Sequence, residues 1–153
     1  PEVAPMGAYD QRPVEARNDV LVYTSDFLDK PLEVIGEIQI HLFVTSTAST
    51  TDFTAKLVDV FPDGRAINLV DSIFRIKSPP EQIVELTETV GVTANIFQKG
   101  HRIRLEISSS SFPTYERSLN SIDAKDQFDS QVALQRLFHN RDRESSLILP
   151  TRI

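Results

Sequence analysis

The chain of 153 residues contains no cysteine, no tryptophan, one methionine and only five glycines. The lack of cysteine excludes disulfides and metals held by thiolates. The lack of tryptophan weakens any interpretation based on stacking against sugar rings. Positive charge is also scarce, because 16 Lys and Arg stand against 22 Asp and Glu, for a net charge of −6. An acidic chain without a long basic run is a poor candidate for binding nucleic acid.

Long hydrophobic runs are absent too. No apolar run approaches the ~20 residues that cross a bilayer, so no membrane association is expected. The first 13 residues have neither a basic start nor an apolar core, so no signal peptide is predicted. Position 1 is not Met, which favours a fragment or a processed chain. The absence of cysteine leaves the compartment undecided, and a cytoplasmic location is a weak preference.

What is present is a globular composition with a strong β pattern. Hydrophobic residues make up 40% of the chain and charged residues 25%, which suits a single domain over residues 1–153. In the stretch 36–46, alternate positions are apolar (Ile38, Ile40 and Leu42), as in a half-buried strand. Similar strands are predicted at 52–61, 67–76, 83–90, 101–110 and 145–150. This spacing, with turns rich in Pro, Gly and Asp, predicts an all-β antiparallel sandwich.

The stretch 118–140 has mixed periodicity. Phe128 and Val132 are spaced as on a helix, whereas Val132 and Leu134 are spaced as on a strand. We interpret its first half as a loop and its second half as a strand. Residues 1–20 are interpreted as an extended lead-in, and 114–130 as a variable loop.

The stretch GHRIRLEISSSSFP (100–113) contains the residue types of a serine hydrolase. If it is a strand, His101 and Ser108 lie roughly 20 Å apart, whereas a base must come within about 3 Å of its nucleophile. None of the five glycines lies in G-x-S-x-G, the usual setting of a nucleophilic serine. No catalytic residue is therefore predicted, and His101 is expected to be a structural histidine at a turn end. A self-sufficient esterase using Ser109 or Ser110 is the least favoured hypothesis.

Metal and cofactor sites are not predicted either. The three histidines are scattered without the spacing of a zinc pair, and no phosphate-binding glycine loop exists. Asp63 lies in the Pro-Asp-Gly turn and Asp59 lies just before it, and a Ca²⁺ site here is a minor alternative to a plain β-turn. Asp52 and Asp71 are expected to cap turns through their side chains.

Four segments resemble one family throughout: 7–25, 51–71, 95–117 and 145–150. The motifs DFTAKLVDV and GHRIRLEISSS are long and specific, and all four segments occur in the order found in that family. The chain resembles the C-terminal non-catalytic domain of X-Pro dipeptidyl-peptidase-like and cocaine esterase-like acyl hydrolases. The resemblance departs mainly at 114–140, where the usual glycine after the Phe-Pro pair is missing.

The resemblance implies a jelly-roll β-sandwich, similar to galactose-binding domains, within a larger multidomain serine hydrolase. In that family an α/β-hydrolase domain with a helical insert carries the Ser, Asp and His. No position of this chain matches a catalytic motif of the family, so no catalytic residue carries over. The implied partner is the α/β-hydrolase domain of the same protein. An acyl esterase and an X-Pro dipeptidyl-peptidase both remain open as the activity of that protein.

The expected contact surface with the partner is the loop SFPTYER. Phe112 and Tyr115 offer apolar area at a low entropic cost, and Arg117 offers a planar set of donors. In the alternative interpretation Phe112 plugs the end of the sandwich. A docking face left bare would expose several hundred Å² of apolar surface and would favour self-association.

A carbohydrate-binding module is the alternative function, because jelly rolls often bind glycans. Fold alone is weak support for such a function. Without tryptophan, stacking against sugars would require Tyr9, Tyr23, Tyr115 or a phenylalanine.

Overall fold

The structure is a computed structural model that describes residues 7–152, except for the side chain of Gln127. A short helix, α1 (Arg12–Glu15), precedes the first strand. A 3₁₀ turn (Gln127–Asp129) lies in the long loop before β7. The strands follow in chain order: β1 (Leu21–Thr24), β2 (Leu32–Ser46), β3 (Thr50–Val60), β4 (Ala66–Lys77), β5 (Val84–Phe97), β6 (Arg102–Ser108), β7 (Gln135–Asn140), β8 (Arg143–Glu144) and β9 (Ser146–Ile148).

The strands form two sheets in which every strand pairing is antiparallel. Sheet A has the order β1-β6-β3-β4. Sheet B has the order β5-β2-β7-β8, with β9 also paired to β2. The prediction of an all-β sandwich is therefore confirmed. Strands β4 and β5 lie along one side of the sandwich, whereas β1 and β7 to β9 lie along the other.

The core lies between the sheets, as the alternating pattern predicts. Ile38, Ile40 and Leu42 of β2 face Leu57 of β3 and Leu105 of β6 across it, and all five are buried. Strand β3 is buried along nearly its whole length, on both faces. Its outer face must therefore be covered by other parts of the chain.

The lead-in covers part of that outer face. Asp10 forms a β-bridge with Ile67 at the start of β4. The N–H of Gln11 donates to the carbonyl of Ala66 at 2.7 Å, and its fully buried side chain accepts from Lys56 of β3 at 2.7 Å. Contrary to the prediction, the lead-in is not extended throughout, because α1 occupies Arg12–Glu15. The part of the lead-in before residue 7 lies outside the described residues.

Strand β5 differs from the prediction that it ends near Gly91. It continues to Phe97, because a β-bulge lies at this point. Ile38 pairs with Gly91 and Gln39 pairs with Thr89, so Val90 has no partner on β2. The break in alternation at Gly91 therefore marks a bulge within one strand.

The stretch 118–140 is a loop followed by a strand, as predicted. The strand, however, begins only at Gln135. Val132 and Leu134, whose spacing indicated a strand, precede it and are 99% and 59% exposed. Within residues 7–152, no helix is both long enough and apolar enough to cross a bilayer.

Candidate docking surface

His101 is buried at the start of β6 and pairs with a carboxylate. Its Nδ1 lies 2.8 Å from Oδ1 of Asp59, and its ring packs on Phe61 with centroids 4.4 Å apart. Its N–H donates to the carbonyl of Gln98, which confirms its expected place at a turn end. The sequence reasoning missed the Asp59 partner, since β3 and β6 become neighbours only when the sheet forms.

The serines lie at the other end of β6, where Ser108 bonds across the sheet and Ser110 bonds within the loop that follows. The Ser108 hydroxyl is hydrogen-bonded to the Thr54 hydroxyl of β3, and the Ser110 hydroxyl accepts from the N–H of Phe112. The whole of β6 separates Ser108 from His101, a span of roughly 23 Å along an extended strand. The histidine–aspartate pair therefore has no serine of this run within reach.

The predicted turn-capping roles of two aspartates are wrong. Asp52 lies inside β3 and accepts two hydrogen bonds from Arg75 of β4, at 2.7 and 2.9 Å. These hydrogen bonds raise the pKa of Arg75. Asp71 lies inside β4 and accepts from the Ser111 hydroxyl at 3.3 Å. Cross-strand pairing gives Asp52 its partner, whereas Asp71 is bonded by a loop residue that folds over β4, and neither contact is visible in the local sequence.

The turn considered for Ca²⁺ is held by neighbouring side chains. Asp63 caps the turn by accepting from the N–H and the guanidinium of Arg65, which lowers the pKa of Asp63. Asp59, on the far side, is the partner of His101. Among the residues that the structure describes, no three His, Asp or Glu side chains converge as metal ligands would.

The loop SFPTYER lies over the outer face of sheet A, beyond the lead-in. The Ser111 hydroxyl ties it to Asp71, and the N–H of Tyr115 donates back to the carbonyl of Ser111 at 3.2 Å. Tyr115 is half-buried and lines a small cavity beside Asp52 and Arg75. The loop is thus fastened to the strands beneath it.

Two of its side chains point away from this anchor. Phe112 is 65% exposed, so it does not plug the end of the sandwich. The guanidinium of Arg117 stacks over the Phe112 ring, with its central carbon 5.5 Å from the ring centroid. Arg117 is itself exposed. A stacked cation and ring on the surface can offer both apolar area and planar donors to a partner.

The same long loop exposes further apolar side chains that sequence reasoning had not assigned to a surface. Ile122 and Phe128 are 64% and 85% exposed. They lie within a segment closed at its base, where the N–H of Gln131 donates to the carbonyl of Leu119 at 2.9 Å. The signal in the sequence was large apolar residues in a stretch of mixed periodicity.

Beneath the lead-in lies a buried group of charges. Glu15 of α1 accepts from Arg104 of β6 at 2.6 Å, and Lys56 lies 3.8 Å from Glu106. Oε1 of Glu15 and Oε1 of Glu106 are buried without a hydrogen-bond partner among residues 7–152. Burial, together with the neighbouring Glu15, raises the pKa of Glu106 to about 7.

Nearer the surface, two aspartates have their pKa lowered by arginines two residues away. Hydrogen bonds from Arg12 lower the pKa of Asp10 to about 2. Arg17 likewise lowers the pKa of Asp19.

Comparisons with known proteins agree on one relationship. A family described as the X-Pro dipeptidyl-peptidase C-terminal non-catalytic domain matches residues 1–148. Cocaine esterase from Rhodococcus sp. (strain MB1 Bresler) is 41% identical over 94% of this chain, which corresponds to 27% of that enzyme. An α-amino acid ester hydrolase structure matches 95% of the chain with a TM-score of 0.86 and 30% identity. An aminopeptidase structure from a marine sediment Thaumarchaeota archaeon has a TM-score of 0.87 and 26% identity.

Proposed function

Because this chain belongs to the family of X-Pro dipeptidyl-peptidase C-terminal non-catalytic domains, we propose that it docks on the α/β-hydrolase domain of a larger serine hydrolase and helps to shape it. The chain spans about a quarter of the length of the relatives it matches, namely 27% of cocaine esterase and 27% of the α-amino acid ester hydrolase. These relatives are named as hydrolases, and we propose ester or peptide hydrolysis as the activity of the whole protein. The sandwich itself would contribute buried area and orientation.

The observation that carries this proposal is the concentration of exposed apolar side chains on one loop. Phe112, Ile122, Phe128, Val132 and Leu134 are all more than half exposed, and all lie between β6 and β7. Scattered apolar residues are normal on a surface, but a run of them on one anchored loop is typical of an interaction site. We assign the centre of the contact to Phe112 and Arg117, with Tyr115 as their anchor.

The three tyrosines considered for carbohydrate stacking do not form a common platform. Tyr23 lines a cavity between the sheets, whereas Tyr115 belongs to the anchored loop. Tyr9 lies in the lead-in, where its N–H donates to Asn68. This arrangement does not favour glycan binding over docking.

The proposal is tested by the double substitution Phe112→Ser and Arg117→Ser in the full-length hydrolase. We expect the half-life of activity at elevated temperature to fall about tenfold, the equivalent of about 1.4 kcal/mol of lost contact. The isolated chain should keep its melting temperature, since both side chains are on its surface. Val92→Ser, at an exposed apolar position on β5, is the matched control and should change neither measurement. An unchanged half-life in the double variant would refute docking through this loop.

A further inference from the structure

A cavity of about 300 Å³ opens between the sheets along the side formed by β1 and β7 to β9. Here sheet A ends in β1, which has only four residues, and the sheets are not closed against each other. We call this space the edge cavity. Its size is at the lower end of the range of small-molecule sites in proteins.

The walls of the edge cavity are aliphatic. Leu42 of β2, Leu105 of β6 and Leu147 of β9 contribute core side chains, and Ile103 and Leu137 complete the lining. No Asp, Glu, Lys or Arg is among the described residues that line it. A charged ligand would lose its hydration here without gaining an opposite charge, so the lining favours a neutral one.

Most polar groups at the cavity are already bonded. The Ser25 hydroxyl accepts from the N–H of Ile103 at 2.9 Å and donates to the carbonyl of Asp26 at 2.8 Å. The Ser145 hydroxyl accepts from the N–H of Phe43 at 3.0 Å and donates to the carbonyl of Phe138 at 2.6 Å. These serines have little capacity left for a ligand.

Tyr23 and His139 remain available, as does the exposed hydroxyl of Ser146 at the rim. The hydroxyl of Tyr23 and the ring nitrogens of His139 form no hydrogen bond within the part of the chain that the structure describes. Their rings meet edge to face, with centroids 5.8 Å apart and planes at 73°. Partial burial raises the pKa of Tyr23, which keeps its hydroxyl a donor near neutral pH. The pair therefore offers ring edges together with hydrogen-bonding groups.

The first described residue, Gly7, lies away from the edge cavity. The carbonyl of Gly7 accepts from Asn68 of β4 at 3.2 Å, at the opposite edge of sheet A. The edge cavity is also distinct from the SFPTYER loop, which lies on the outer face of sheet A.

We propose that the edge cavity binds a neutral, compact aromatic molecule that carries one hydrogen-bonding group. The ring packs against the aliphatic walls and against the edges of Tyr23 and His139, while its polar group bonds to one of these two side chains. This inference goes beyond the docking function and does not depend on it.

The test is a titration of the chain with p-cresol at pH 8, followed by ¹H–¹⁵N NMR and calorimetry. We expect saturable binding with a Kd on the order of 1 mM, which suits a ligand of eight non-hydrogen atoms. The shifted resonances should belong to residues around Leu105, Leu137 and Leu147. Benzoate, which is charged, should not bind, and cyclohexanol should bind more weakly. Equal binding by cyclohexanol would overturn the aromatic assignment.

Variants separate the site from non-specific binding. Either Tyr23→Phe or His139→Phe should weaken p-cresol binding about fivefold, by removing one neutral hydrogen bond, and an unchanged Kd in both variants would refute the assigned hydrogen bond. Leu147→Trp should abolish binding by filling the space, and the NMR spectrum reports whether that variant is folded. Tyr9→Phe, a matched change in the lead-in, should have no effect. Absence of saturable shifts in the wild-type chain would refute the site. Binding to the isolated chain that is lost in the full-length hydrolase would also refute it, by assigning the cavity to the other domain.

Discussion

Glu106 occupies an unusual position for a carboxyl group, in the middle of a sheet and beneath a covering segment. In register it lies beside Lys56 of β3 and beside Val22 of β1, and Asp71 of β4 lies one strand further along. The lead-in adds the carboxyl of Glu15, which is already bonded to Arg104. Two carboxyls thus meet two cations in a space with little water. One proton held by Glu106 reduces the repulsion from Glu15 and the cost of burying its charge.

This arrangement predicts a pH dependence of folding stability. The pKa of Glu106 rises from 4.5 to about 7 in the folded chain, so between these values the native state binds more protons than the unfolded state. Stability from this group is fully present below about pH 4.5 and is lost as the pH rises through about 7. The upper limit is on the order of 3 kcal/mol. Urea unfolding at a series of pH values should show the decline.

Glu106→Gln carries no titrating group there, so its stability should depend less on pH between 5 and 7.5. Glu116→Gln, at an exposed position, is the control and should keep the wild-type slope. Asp10 does not contribute to the pH dependence in this range, because its pKa is lowered to about 2 and its titration affects stability only at lower pH. Parallel pH profiles for the wild type and Glu106→Gln would show that Glu106 does not hold a proton in the folded chain.

Sequence reasoning was weakest at the scale of single residues and their side-chain partners. The distance argument separated His101 from the serines correctly, since the reach of an extended strand follows from local geometry. It could not find that Asp59 pairs with His101, 42 residues away, or that Arg75 pairs with Asp52. Both pairs depend on which strands become neighbours and in which register. Alternating patterns fix the face of a residue but not its neighbour on that face.

At the scale of elements, the alternating pattern placed most of the strands, but it missed β1 and ended β5 too early, where a bulge breaks the period. Gly91 has φ near +155°, and a Cβ at this position would overlap the side chain of Val70 on β4. The bulge therefore brings β5 close to β4, along the side opposite the edge cavity. A glycine inside a strand pattern can mark either a strand end or such a close approach, and the sequence alone does not distinguish them.

The bulge predicts that Gly91→Ala destabilises the chain by about 3 kcal/mol, from overlap with Val70 and from backbone strain. Gly64→Ala is the matched control: its φ is +90°, but nothing lies within 4 Å of the added carbon. Strain alone should cost it about 1 kcal/mol. Denaturant unfolding gives both values. Val70→Ala should recover part of the loss in Gly91→Ala, and strictly additive effects would contradict the proposed overlap.

At the scale of the whole molecule, the two sheets and the long loop have separate roles. The core between the sheets accounts for stability, whereas the loop between β6 and β7 carries apolar side chains that contribute little to that core. The fold could be predicted because alternation repeats in strand after strand. The surface loop could be predicted only in part. Phe128 and Val132 lie in a stretch where helix and strand periods overlap, but neither residue lies in an α-helix or a strand.

This separation predicts that the loop can be altered without loss of folding. Phe128→Ser combined with Val132→Ser should change the free energy of unfolding by no more than about 0.5 kcal/mol, because both side chains are almost fully exposed. The same variant should bind less hydrophobic dye and should self-associate less in sedimentation experiments. Leu57→Ala, in the core, is the contrasting control and should cost about 2–5 kcal/mol. If the loop variant loses stability on the scale of Leu57→Ala, the loop belongs to the core of the domain, and its apolar residues are then not available for docking.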